Sequence, residues 1–489
     1  MIRTAFAATT LLLAAVPATA QSQQEALEAR YDRSLAAGYK ALMLCGAIAN
    51  AEANGTSRTP ESVMQWELTG IQAPLDTIVT ELPFEIVRRP SGQIAHVAVR
   101  WAEDMPARVA LYYGPKTGCS ILPIGAPVDA SDPGQSVAIP PEGASTAKPS
   151  VEQAEGASTS RGRIRKPRDE PGMPWTLLMA KGFDQDRLGT YGKGARTTAV
   201  VVRRFASDGT RRFEAEVYAD GFSASTPQRT WSVAKSITST LVGAAVQSGE
   251  VRTDDPIGLN YWRGGGAVDQ RNAITIDHAL RMATGRYSDT PGNRTDPLYY
   301  GGSSVDETAT KWPVLHKPGT TFRYANNDTL LAVKAIGQWL SFYPPDEFFA
   351  KLGMTHTVAE TDWKGDYVLS SQVWSTAGDL ASLGQLYLND GVLPSGERIL
   401  PEGWVKYVST PSGPQPPTGT FGYGAGFWLL NKEEDVPADT FAAIGNRGQY
   451  VVIVPSRKVV IVRRGEDPVG SGFDIAAFTR DVLAALPKE

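Results

Sequence analysis

Ser232 and Lys235 stand three residues apart at the head of an apolar run that includes Ile237, Leu241, Val242, Ala245 and Val246. On a helix that spacing puts both side chains on one face, one turn apart. A serine hydroxyl is a weak nucleophile until a neighbouring base takes its proton. A lysine in a water-poor pocket can be that base, because burial favours the neutral amine. Ser-x-x-Lys therefore spells nucleophilic acyl chemistry, with Ser232 as the attacking group and Lys235 as its base.

Such chemistry also needs a proton relay and donors for the oxyanion. Tyr324-Ala325-Asn326 follows the turn Lys317-Pro318-Gly319-Thr320 and precedes the apolar stretch from Leu330 to Leu340. A tyrosine hydroxyl there can pass a proton between serine, lysine and leaving group. The Asn326 amide can orient the lysine or hold a substrate carbonyl. A third stretch, Ile444-Gly445-Asn446-Arg447-Gly448-Gln449-Tyr450, leads into an apolar strand. Glycines at a strand start let a substrate backbone approach closely. A backbone N–H near Gly448 and Gln449, together with that of Ser232, is the expected oxyanion hole.

The elements that must position these groups are legible in the apolar pattern. Thr198–Val202 and Phe213–Tyr218 read as strands joined by a turn at Ser207-Asp208-Gly209. Tyr450–Val454 and Val459–Val462 read as a second pair, joined at Pro455-Ser456-Arg457-Lys458, with an amphipathic helix from Phe473 to Leu486 closing the chain. Strands near both ends of this region, with helices and loops between, predict an α+β fold. One antiparallel sheet is built from both ends, beside an all-helical part. Upstream, residues 24–50 look helical and Phe84 to Leu122 alternates like strands, giving an accessory N-terminal domain over 21–124. Residues 125–172 are rich in Pro, Gly, Ser, Ala and Glu and read as a linker or insertion, with a solvated basic run from Arg161 to Arg168. The hydrolytic region then spans 173–489.

The chain has 489 residues, enough for more than one core, and a net charge of −4 that gives no reason to propose nucleic acid. Arg3, the apolar segment Ala5 to Val16 and Ala18-Thr19-Ala20 form a leader over residues 1–20, which predicts export to the periplasm or the medium. Its apolar run is too short to span a bilayer, and no other segment is apolar enough to do so. In an exported chain the two cysteines, Cys45 and Cys119, invite a disulfide. The four histidines (His96, His278, His316 and His356) stand far apart without metal-ligand spacing. No metal or organic cofactor is implied.

Ser-x-x-Lys, Tyr-x-Asn and a Gly-rich strand, in that order, resemble the penicillin-recognising serine hydrolase family. That family includes class C β-lactamases, DD-peptidases, family VIII carboxylesterases and 6-aminohexanoate-dimer hydrolases. Further matches are Thr284-Gly285, Lys317-Pro318-Gly319-Thr320 and Ser375-Thr376-Ala377-Gly378-Asp379, so the resemblance covers roughly residues 175–485. It implies a β-lactamase/transpeptidase-like fold, Ser232 as the acylated nucleophile, Lys235 as base and Tyr324 as relay. The Gly448-Gln449 ending and Trp231 before the nucleophile are most similar to the 6-aminohexanoate-dimer hydrolase and esterase branch. The chain departs from the β-lactamase pattern where Ala443-Ile444-Gly445 replaces Lys-Thr-Gly or His-Thr-Gly, leaving Arg447 to supply the cation for a substrate carboxylate. Esters or short linear amides are therefore favoured over β-lactams. In the 6-aminohexanoate branch a loop tyrosine touches the amide leaving group, and Tyr287, Tyr299 and Tyr300 are the candidates here. A β-lactamase or DD-peptidase, or a non-catalytic acylable sensor or scaffold, are the competing readings. The classical Ser-His-Asp esterase lacks its Gly-x-Ser-x-Gly elbow here.

Overall fold

The computed structural model describes residues 18–127, 183, 186–264, 268–287 and 295–486. Most of the expected leader and residues 128–172 of the expected linker, including the basic run, lie outside the described residues. Among those described, no helix is long and apolar enough to cross a membrane.

The N-terminal part is built on a 36-residue helix, α1 (Ala18–Ala53). Its first turns are exposed, but from Ser34 onward almost every residue is buried. A helix apolar all round must be covered all round. One cover is a four-stranded antiparallel sheet, β1 (Phe84–Arg88), β2 (Ile94–Val99), β3 (Arg108–Gly114) and β4 (Gly118–Ile121), paired in that order. Two short helices, α2 (Pro60–Trp66) and α3 (Leu75–Glu81), close it off, and Thr59 caps α2 by accepting the Ser62 N–H. Cys45 of α1 and Cys119 of β4 form the expected disulfide, 74 residues apart in sequence. The other cover is the rest of the molecule. Leu42, Ile48, Val97 and Tyr112 share one core with Trp231, Tyr299, Tyr300, Leu330 and Trp374.

The second sheet has seven strands. β5 (Thr197–Phe205) and β6 (Arg211–Tyr218) come from its beginning. After the short β7 (Gln228–Arg229), helix α4 (Val233–Gln247), helix α5 (Asn326–Ala335), the short β8 (Val358–Ala359) and β9 (Val373–Ser375), and helix α6 (Ala377–Leu388), the chain returns to it. The returning strands are β10 (Gly422–Tyr423), β11 (Trp428–Leu429), β12 (Phe441–Gly445), β13 (Gln449–Val454) and β14 (Val459–Gly465). The order is β10-β11-β12-β13-β14-β5-β6, so the last long strand pairs with the first, Val462 opposite Val201. One antiparallel sheet is thus made from both ends of the region, as the strand pattern predicts.

Period-two alternation sorts its side chains onto two faces. Val201, Val451, Ile453, Val460 and Val462 pack with α4 and α6, whereas Val200, Val202, Val452, Val459 and Ile461 pack under the closing helix α7 (Ile475–Ala485). Helix α4 is buried from Val233 to Ala245. Each such aliphatic side chain contributes about 2 kcal/mol on leaving water, which fixes α4 and the groups at its head.

Candidate active site

Ser232 caps α4 with helical backbone angles, and the residue before it, Trp231, has φ of 51°. A bulky residue in the left-handed region costs on the order of 1–3 kcal/mol and persists only where its surroundings impose it. Here the Arg229 guanidinium lies 4.1 Å from the centre of the Trp231 ring, and the indole is buried. The turn aims Ser232 into a cavity of about 520 Å³.

Lys235, one turn on, is 2% exposed. Its Nζ is 2.9 Å from Ser232 Oγ, 2.5 Å from Asn326 Oδ1 and 2.8 Å from the Ser370 carbonyl oxygen. The Asn326 orientation follows from its other end, where Nδ2 donates to Thr295 Oγ1 at 2.9 Å. Desolvation pulls the Lys235 pKa from 10.5 down to about 7, because no carboxylate compensates it. A neutral amine has two N–H groups and one lone pair. Asn326 Oδ1 and the Ser370 carbonyl can only accept, so they take the two N–H groups. The lone pair is left facing the one partner that can donate, the Ser232 hydroxyl.

Tyr324 stands beside this pair on the loop entering α5, its ring centre 5.1 Å from Lys235 Nζ. Trp428 and Tyr423 hold the ring at 5.3 and 6.0 Å. Burial pushes the phenol well above its usual range, against an opposing hydrogen bond with Ser232. At neutral pH it is an O–H donor, not a phenolate. Of the two, Lys235 is the group able to accept a proton near neutral pH.

The cavity wall is largely aromatic: Trp231, Tyr299, Tyr300, Tyr324 and Trp428 line it. Of the three loop tyrosines, Tyr299 and Tyr300 reach the cavity and Tyr299 Oη is 2.7 Å from Ser370 Oγ, whereas Tyr287 is exposed and packs on Trp312.

The strand stretch needs correction. Arg447, Gly448 and Gln449 do not line the cavity; Ile444, Gly445 and Asn446 do. Arg447 is 5% exposed and points away, its Nε donating to Glu466 Oε2 at 2.7 Å and its Nη2 to the carbonyls of Trp66 and Thr69. Gly448 turns the chain at φ of 81°, under Arg463. Gln449 is fully buried and accepts a hydrogen bond from Arg464, which donates in turn to the carbonyls of Gln228 and Arg229 ahead of Ser232. The cause is register. β12 and β13 form a hairpin with Gly445 opposite Gln449, and it is the first arm's end that reaches Ser232. A Cβ on Gly445 would stand 2.4 Å from the Thr230 oxygen and 3.1 Å from the Ser232 nitrogen. Among the described lining residues there is no lysine or arginine, and the one carboxylate is that of Asp296. Asp296 and Trp428 carried no motif and were missed in the sequence. Ser370 was missed too, since its contribution is a backbone carbonyl. No group of His, Cys, Asp and Glu among the described residues could hold a metal ion.

A model of the β-lactamase family matches residues 179–484. No curated protein matches the chain. Among solved structures, a chain from Bacillus anthracis provisionally assigned as a 6-aminohexanoate-dimer hydrolase is 19% identical, with a TM-score of 0.51 over 63% of this chain and 83% of that one. A provisionally assigned β-lactamase from Bacteroides dorei DSM 17855 is 20% identical, with a TM-score of 0.50 over 64% and 97%. At these identities the likeness is one of fold, the β-lactamase/transpeptidase-like arrangement.

Proposed function

The chain belongs to the β-lactamase family, whose members are generally serine hydrolases acting on small molecules, and from that premise we propose that it cleaves esters or short linear amides through an acyl-enzyme on Ser232. The observation that carries this reading is the composition of the cavity wall: aromatic surface and one carboxylate, with no cation among the described lining residues to meet the carboxylate of a β-lactam or a D-alanyl peptide. Arg447, the expected substitute, is spent on Glu466 and on backbone carbonyls.

Neutral Lys235 takes the Ser232 proton as Oγ attacks the carbonyl carbon. The C–O π electrons move onto the carbonyl oxygen, which is held by the backbone N–H groups of Ser232 and Asn446. The close pass of Gly445 beside the Ser232 amide supports that pairing. Each such donor contributes roughly 3 kcal/mol to the transition state. When the tetrahedral species collapses, the bond to the leaving group breaks. That group takes the Tyr324 proton, and the lysine ammonium restores it. Water then repeats the sequence on the acyl-enzyme, with the lysine again the proton's destination. Asn326 and the Ser370 carbonyl hold the amine in place throughout. The aromatic wall, Trp231, Tyr299, Tyr300 and Trp428, is where the apolar part of an ester or linear amide packs. The leader and the Cys45–Cys119 bridge support export of the enzyme, with residues 21–124 as its accessory part.

The test is intact-protein mass after incubation with a fluorophosphonate, beside hydrolysis of p-nitrophenyl butyrate, nitrocefin and a linear 6-aminohexanoate dimer. The expected outcome is a single adduct, absent in Ser232→Ala, with ester or linear-amide turnover and little nitrocefin cleavage. Fast nitrocefin turnover would replace this reading with a β-lactamase. A stable adduct that never turns over would make the protein an acylable sensor.

A further inference from the structure

The β-lactamase family match begins at residue 179, yet the substrate cavity has a wall that comes from far upstream. Gln72, in the turn between α2 and α3, lines the cavity together with Ile444, Gly445 and Asn446 of β12 and its hairpin turn and with Val469. We propose that this turn of the N-terminal part completes the substrate site of the hydrolase and that Gln72 is its specificity-determining residue, setting how long a substrate the cavity accepts. The inference rests on the serine hydrolase reading and adds to it where substrate size is decided.

Three independent fastenings make the wall a built feature. The Val469 N–H donates to the Gly70 carbonyl at 2.9 Å. Gly70 sits in the left-handed region, and a Cβ there would stand 2.9 Å from Pro468, so the turn and the loop after β14 are in direct contact. Arg447 supplies the second fastening. Its Nη2 donates to the carbonyls of Trp66 and Thr69 at 2.8 and 2.9 Å, gathering the end of α2 and the start of the turn onto one guanidinium. The third lies on the α2 side, where Arg196 donates to the Gln65 carbonyl at 2.7 Å and covers the Trp66 ring at 4.5 Å. A buried guanidinium–carboxylate pair backs the turn, with Arg58 gripping Glu67 through two 2.8 Å hydrogen bonds.

Arg447 is the residue after Asn446, so the side chain that holds the wall and the backbone that lines the cavity's catalytic edge belong to adjacent residues. The wall therefore cannot shift without pulling on that edge. Ile71 anchors the turn in the core, while Gln72 is half-buried and ends in an amide with no hydrogen-bonding side-chain partner among the described residues. It presents a donor and an acceptor to whatever occupies the cavity, and its bulk limits the length of that occupant.

The experiment compares the full chain with Gln72→Ala and Gln72→Trp. It uses p-nitrophenyl esters from acetate to octanoate and a parallel set of butyrate esters with alcohols of increasing length. Fluorophosphonate labelling of Ser232 is followed in every variant. In the series that faces Gln72, the long-to-short ratio of kcat/KM should rise roughly tenfold for Gln72→Ala and fall by a similar factor for Gln72→Trp, carried by KM for the long substrates. Opposite trends from one position are not produced by a loss of structure. Unchanged ratios in both series, with labelling intact, would overturn the inference while leaving the serine hydrolase reading standing. Absence of labelling in the unsubstituted chain would overturn both.

Discussion

At the scale of single residues, the division of labour proposed for Lys235 and Tyr324 follows chiefly from burial. Desolvation penalises whichever form is charged, so the same dry pocket drives lysine towards the neutral amine and tyrosine towards the neutral phenol. With the Lys235 pKa lowered to about 7, the amine is protonated and inactive below that pH and free to act as base above it. The expected kcat/KM profile therefore falls about tenfold per pH unit below 7 and is flat above it, with no descending limb until well into the alkaline range, since Tyr324 is raised. Lys235→Met should lower kcat/KM by roughly 10²- to 10⁴-fold and erase the acid limb; a limb retained in that variant assigns the base elsewhere. The residues proposed to react stand out in the sequence because their spacing is local: three residues for Ser232 and Lys235, two for Tyr324 and Asn326. Ser370 and Asp296 were not legible, because they reach the site from parts of the chain whose proximity only the fold creates.

At the scale of elements, the hairpin of β12 and β13 teaches the limit of reading strands one at a time. Both apolar runs at the C-terminal end were recognisable, as was the turn between β13 and β14. The arm that faces the nucleophile was not, because pairing register is a property of two strands. A glycine is required where β12 passes Ser232, and the requirement is steric. Gly445→Ala should lower the rate of Ser232 acylation by roughly 10²- to 10³-fold, the worth of one oxyanion donor, because its Cβ would collide with the Thr230 carbonyl. Gly337→Ala is the control. That glycine starts a short helix in open space at an ordinary φ, so alanine there should leave acylation unchanged and stabilise the fold by about 0.5 kcal/mol. Single-turnover labelling with a fluorophosphonate reads both; equal effects would disprove the steric argument.

At the scale of the whole molecule, α1 is an interior beam shared by two sets of neighbours. Gly38 lies so close to the Tyr300 carbonyl, and Gly46 to the Trp374 ring, that no Cβ fits at either position. Arg108 of β3 also donates to the Tyr300 carbonyl, at 2.9 Å. The Cys45–Cys119 bridge fastens this beam to β4 across 74 residues. Replacing both cysteines by alanine should cost about 4 kcal/mol of unfolding free energy through the longer unconstrained loop, measured by urea titration, and a loss near zero would show that the packing alone holds α1. Because Tyr300 and Trp374 are bedded into two notches on α1, the ancestry of this chain is constrained as well as its stability. Among its descendants, changes at 38 and 46 should be accepted only in lineages that also alter the residues resting on them. A chimera that borrows a catalytic portion from another relative will need the matching N-terminal hundred residues in the same transplant, since Gly38 and Gly46 leave room only for the residues that rest on them.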